Sequence, residues 1–333
     1  MSKKMKALKK TGPCRGEIVD VDVPAVVDED CLVRIRACGI CAWDANTWKA
    51  EGPDSFGPGI TGHEVAGEVA EVGKKCRKWK VGDPVVIYGI RSCGKCVHCR
   101  QRNYRYCAKK TSIVNGFAEY VAAPWNRLLP MPKGVSFAEA SLLIDIVGTP
   151  IHGLRRGGVN RKTTVAVWGL GPVGLGGVQG AKALGAPLVV GVDPLANRRS
   201  AAESLGADVT INPEGGSAVA RLKELTDGEG MHVCLNAAPV DSVAQAAYDS
   251  LRLDGTLVLL AGQPQAKGQL EKNIRGSWYF HIDEYAKNVR LLRQGKLTLR
   301  PIISHEFPLS RAPEAFDLRV GRPDETLKVV VTM

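Results

Sequence analysis

The chain has 333 residues, more than one compact core usually holds, so two domains are the default expectation. Hydrophobic residues make up 44% and charged residues 24%, and the 37 glycines and 19 prolines are scattered along the chain, which excludes a low-complexity tail and points to many short strands and turns. The formal net charge is +11, yet the basic residues are spread throughout with no basic helix interleaved with aromatics, so a surface that attracts anionic substrates or cofactors is expected, and no nucleic acid. No run of about 18 apolar residues appears. The basic start, Met1 to Lys10, has no apolar stretch behind it, so a cytoplasmic protein with no membrane partner is expected.

In chain order, the first part alternates short apolar runs with turn residues. Cys31 to Ala37, Val65 to Val72, Val85 to Tyr88 and Ala118 to Ala122 read as strands of a β-rich domain. The periodicity turns helical from Phe137 to Ile144. From Thr164 onward strands and helices alternate: strand Thr164 to Trp168, helix Val173 to Leu184, strand Leu188 to Val192, helix Leu195 to Leu205, strand Val209 to Ile211. Helix Ser217 to Leu225, strand Val233 to Asn236, helix Val240 to Leu251 and strand Thr256 to Ala261 follow. Such alternation predicts βαβ units, hence an α/β fold with a doubly wound parallel sheet. Gly185 and Gly206 are expected helix C-caps. The tail from Ile302 to Val331 returns to strand-like patterning and is expected to rejoin the first domain, giving domains of 1–147, completed by 296–333, and 148–295.

Two motifs carry chemistry by spacing alone. Ten cysteines in a reducing compartment argue for metal and against disulfides, and four of them, Cys93, Cys96, Cys99 and Cys107, fall within 15 residues. Two-residue gaps let a chain wrap a tetrahedral ion, and four thiolates leave no open position, so a structural zinc is expected; an iron–sulfur cluster is the rival. His98 is unnecessary as a ligand. The second motif is Gly169, Gly171, Pro172, Val173 and Gly174 between a strand and an apolar helix. The first glycine suits the tight turn, the second the approach of a pyrophosphate and the third close helix–strand packing, with the helix N-terminus facing the phosphates. Asp193 ends the next strand, where a carboxylate accepts from ribose hydroxyls and repels a 2′-phosphate. That favours NAD over NADP, although Arg198 and Arg199 lie close by; Asp193 could also simply cap the following helix.

Gly39 to Asp44 (GICAWD), Gly62 to Val69 (GHEVAGEV), Val81 to Val85, the four-cysteine lobe and Gly169 to Gly174 together resemble the zinc-containing medium-chain alcohol dehydrogenase family over nearly the whole chain. The resemblance implies a GroES-like catalytic domain beside a Rossmann NAD-binding domain. It makes Cys41 and His63 ligands of a catalytic zinc, Asp145 the third ligand, and Glu64 either an alternative ligand or an acceptor beside the metal. Asp44 matches the acid that orients the metal's surroundings. Thr149 and Gly262 fall where nicotinamide-side contacts are expected, and Lys328 where a basic residue meets the pyrophosphate.

One position departs from the family, which has Ser or Thr two residues after the first cysteine ligand to begin a proton relay; this chain has Trp43. An indole N–H donates but cannot pass a proton on. Either Trp43 shapes the pocket and the proton leaves by water, Asn46, Thr47 or Glu64, or the activity is modified; Trp43 and Trp48 could also be core residues. The expected function is zinc-dependent oxidation of a secondary alcohol of polyol, sugar or amino-alcohol type with NAD, in a homodimer or homotetramer carrying two zinc ions per subunit. The alternatives are an NADP-dependent aldehyde or ketone reductase and a non-catalytic zinc-binding relative. Packing is the default for Cys14, Cys31, Cys38, Cys76 and Cys234.

Overall fold

A computed structural model describes residues 3–51, 61–265 and 271–333. The chain divides into two compact units, Met1–Ile144 with Ile303–Met333, and Asp145–Ile302. The first division comes slightly before the expected position and the second slightly after it. At the first, the helix Phe137–Leu142 does not end in a loop but continues as a π-helical turn over Leu143–Gly148. Ser136 caps that helix by accepting from the Glu139 N–H, and Glu139 reaches back to the Ser136 N–H.

The first unit is built on a seven-stranded sheet centred on Asp30–Gly39. That strand pairs antiparallel with Glu64–Val72, Tyr120–Pro124 and Lys328–Thr332, so the tail of the chain closes the sheet with Val330 opposite Gly39. Its burial is nearly continuous along the strand. Val33, Ile35, Val65, Val69, Val85, Ile87, Phe117 and Phe316 form the core beneath it. Several elements escaped the sequence reading. The hairpin of Lys4–Gly12 and Arg15–Asp22 hides among lysines, although Met5, Ala7 and Leu8 are buried. Within the tail, Ala312–Gly321 is helical between the strands Ile303–Pro308 and Lys328–Thr332.

The second unit holds six parallel strands in the spatial order Val209–Ile211, Val189–Val192, Val165–Trp168, Met231–Asn236, Leu251–Leu259, Asn273–Gly276. Counted along the unit this is 3-2-1-4-5-6, the doubly wound dinucleotide-binding arrangement. The order reverses beside Val165–Trp168, which places a crevice at the carboxyl ends of the central strands. Gly185 and Gly206 have φ of 98° and 102°, the left-handed conformation that ends a helix without a Cβ penalty.

Candidate active site

Cys41 lies just past the central strand and is the N-cap residue of helix Ala42–Lys49, while His63 immediately precedes the strand Glu64–Val72. The ladder between the two strands ends with Gly39 opposite Glu64, which brings both segments to one sheet end. Asp44 ties them together. It is completely buried; one carboxylate oxygen accepts from the Cys41 N–H at 2.9 Å and the other from the Gly62 N–H at 3.1 Å. The His63 Nδ1 is 3.9 Å from the second oxygen. Burial pushes the Asp44 carboxyl up, against the pull of His63, the two N–H groups and Lys328.

Cys41, His63, Glu64 and Asp145 each present a ligand atom, and these atoms lie within 4.8 Å of one another. Thiolate, imidazole and carboxylate are the donors a catalytic zinc takes, so the residues fit the ion. The Thr149 hydroxyl, expected beside a nicotinamide, donates to Asp145 at 2.9 Å. Trp43 is half-buried, with its ring edge-on to His63 at 5.7 Å, whereas Trp48 is a core residue whose Nε1 donates to Asp317.

Lys328, expected where a basic residue meets the pyrophosphate, is 1% exposed inside the first unit and donates to Glu64 at 2.6 Å and to the Ile40 carbonyl at 3.0 Å. Gly39 makes room for the pair, because a Cβ there would run into the Glu64 carboxylate and the Lys328 chain.

The four lobe cysteines also converge within 4.8 Å, and Cys96 and Cys99 sulfurs are 3.5 Å apart. The Lys95 and Cys96 N–H groups pull the Cys93 thiol down to about 6, which favours the thiolate that a metal requires. A four-thiolate set fits a closed structural zinc. His98 packs edge-on against Tyr106 and takes no part in the cluster. The lobe's two ends are stitched by the ladder Ile90–Arg91 with Thr111–Ser112. Sequence reading missed Arg127, which donates to Ser92 at 2.6 Å and stacks over Tyr104 at 3.3 Å; neither partner is near it in sequence.

In the second unit Gly169 has φ of 84° and leads into helix Pro172–Leu184, with Gly171 as its N-cap residue and Pro172 and Val173 opening the first turn. A Cβ on Gly174 would collide with the Gly169 carbonyl, whereas one on Gly171 would meet nothing, leaving the space a diphosphate needs. Asp193 is 2% exposed and accepts from the Leu170 N–H at 2.8 Å and the Leu195 N–H at 2.9 Å, with Arg198 at 3.5 Å. Arg199 instead donates to the carbonyls of Asp193 and Pro194. Gly262 has φ of 66°. Near it lies Asn236, another omission of the sequence reading, whose side chain holds the Ala238 and Ala261 carbonyls; a polar residue ending an apolar parallel strand was the available signal.

Residues 27–133 match the alcohol dehydrogenase GroES-like domain and residues 172–294 the zinc-binding dehydrogenase domain. The chain is 35% identical to an L-threonine 3-dehydrogenase of Pyrococcus abyssi, covering 99% of each protein. It is 29% identical to a sorbitol dehydrogenase of Bacillus subtilis, over 95% of this chain and 93% of the relative. Among solved structures, a zinc-binding dehydrogenase of Sinorhizobium meliloti bound to NADP superposes with a TM-score of 0.88 at 26% identity, covering 100% of both chains.

Proposed function

This chain belongs to the zinc-containing medium-chain alcohol dehydrogenase family, and on that premise we propose that it oxidises a secondary alcohol of polyol, sugar or amino-alcohol type to a ketone with NAD. The observation that carries the reading is the convergence of Cys41, His63 and Asp145, with Glu64, on one set of donor atoms. Cys41, His63 and Asp145 would hold the catalytic zinc, with Glu64 beside it as a further ligand or as an acceptor, and Cys93, Cys96, Cys99 and Cys107 would hold a second, structural one. When bound, zinc supplies a Lewis acid for the substrate oxygen and the nicotinamide accepts hydride. Asp44 fixes the backbone of both ligand loops, so the donors are aimed before substrate arrives.

Gly169 to Gly174 receive the diphosphate, and Asp193 the ribose hydroxyls. The Asp193 carboxylate opposes a 2′-phosphate, and Arg198 beside it softens that opposition. Trp43 leaves no hydroxyl where the relay usually begins. The proton leaves to water, because Thr47, one of the expected routes, donates its hydroxyl hydrogen to the Trp43 carbonyl at 3.0 Å, which passes no proton on. Relatives named for L-threonine and for sorbitol support an alcohol with a polar neighbouring group.

A panel of polyols, sugars, amino-alcohols and simple secondary alcohols, run with NAD and NADP in parallel and with metal analysis, tests the reading. NADH formation from one of them at two zinc ions per chain is expected. Preference for NADP would sink the Asp193 argument, and fully zinc-loaded protein that turns over nothing would point to the non-catalytic alternative.

A further inference from the structure

Cys31 and Cys76 lie outside the sites described above, and their sulfur atoms are 3.6 Å apart. Cys31 sits in the central strand opposite Val72. The chain then turns back on itself. The Gly73 N–H donates to the Asp30 carbonyl at 2.8 Å, the Lys75 N–H to the Asp28 carbonyl at 2.8 Å and the Cys76 N–H to the Gly73 carbonyl at 2.9 Å. The backbone on both sides is thereby tied together, and the sulfurs have to close from 3.6 Å to the ~2.05 Å of a bond.

The two thiols differ in access. Cys31 is fully buried and Cys76 is half-exposed. Burial, and then the hydrogen bond to Cys76, pushes the Cys31 thiol up to about 12, so Cys31 keeps its proton, whereas Cys76, packed at the edge of the core, is only partly buried.

We propose that Cys31 and Cys76 form a reversible thiol–disulfide site that takes a two-electron oxidant of the peroxide class. The Cys76 thiolate attacks a peroxide oxygen, the O–O bond breaks, and a sulfenic acid forms while the departing oxygen leaves, protonated, as water or an alcohol. The Cys31 sulfur then attacks the Cys76 sulfur, the S–O bond breaks, and the hydroxyl leaves with the Cys31 proton as water. Two thiols are oxidised by two electrons and one peroxide is reduced; a dithiol reductant reverses the change. The bond would staple the turn after Val72 to the start of the central strand, without drawing on the zinc-binding thiols. A staple across so long a stretch of chain narrows the unfolded ensemble.

The test treats zinc-loaded protein with stoichiometric hydrogen peroxide, blocks remaining thiols and maps peptides without reduction. Expected are a Cys31–Cys76 linked peptide reversed by dithiothreitol, unchanged zinc content, and a Tm several degrees above the reduced form. Cys76→Ser, at a half-exposed position, should give neither the link nor the Tm rise. Cys31→Ser should leave a sulfenic acid at Cys76 that dimedone traps. Zinc release and oxidation of Cys93 to Cys107 while Cys31 and Cys76 still alkylate would overturn the proposal.

Discussion

The Glu64–Lys328 pair shows how much one residue's surroundings decide. Both groups are essentially fully buried, so removing one leaves a charge in a low-dielectric interior. Lys328→Met is expected to lower stability by about 3–5 kcal/mol, read from denaturant unfolding, and a loss under about 1 kcal/mol would contradict the assignment. Asp44→Asn keeps the volume but weakens the acceptor for two N–H groups. Zinc retention at the catalytic site or turnover should fall about 10- to 100-fold, with the lobe zinc unaffected. Cys41, His63 and Asp145 could be nominated only through the family resemblance, since each segment taken alone reads as a buried cysteine, a turn histidine or a structural acid. The partner of Lys328 was not legible, since Glu64 lies at the other end of the chain and only the closing of the sheet by Lys328–Thr332 brings them together.

At the scale of elements, the glycine loop makes a sharp prediction. Gly174→Ala would press a methyl group onto the Gly169 carbonyl, overpacking that costs about 1–3 kcal/mol and displaces the turn. NADH titration should show weakened binding, whereas Gly171→Ala should leave stability unchanged because its Cβ meets no protein atom. Helices Thr149–Arg156 and Glu284–Arg293 are joined by His152 and Arg155 on Glu284, at 2.6 and 2.8 Å. Although burial opposes it, these partners hold the Glu284 carboxyl below its ordinary 4.5. The stabilisation is complete above that value and disappears as pH falls through the lowered one, because the folded state then binds the proton the unfolded state already holds. Wild-type Tm should therefore drop more steeply below pH 4.5 than that of Glu284→Gln. The βα alternation was readable as far as Leu251–Leu259 because those parallel strands hold short apolar runs between helices, whereas the polar, mostly exposed edge strand Asn273–Gly276 carried no such signal. The helix Ala312–Gly321 was not readable, although its buried Ala312, Ala315 and Phe316 fall at helical spacing, because the strands on either side of it set the pattern of the tail.

For the whole molecule, the two clusters of potential metal ligands differ in what encloses them. The catalytic set is drawn from separate elements and fixed by Asp44, whereas the lobe draws all four donors from residues 93–107. Chelation that empties the catalytic site first should abolish turnover with little change in Tm, and emptying the lobe should then lower Tm; a single concerted loss would contradict the distinction. Two-unit organisation was legible from the change of periodicity near Ser136, but the division was not, because the helix there runs on as a π-turn. The lobe's footing has a consequence of another kind. Arg91 and Thr111 face each other directly in a two-stranded ladder, so the intervening segment leaves the sheet and returns at a single point. A chain built that way can gain or lose the insert in one genetic step. Replacing residues 92–110 with a two-residue Asn-Gly turn, together with Arg127→Leu because that buried guanidinium loses Ser92 and Tyr104, should yield a shortened protein that still folds and binds one zinc ion.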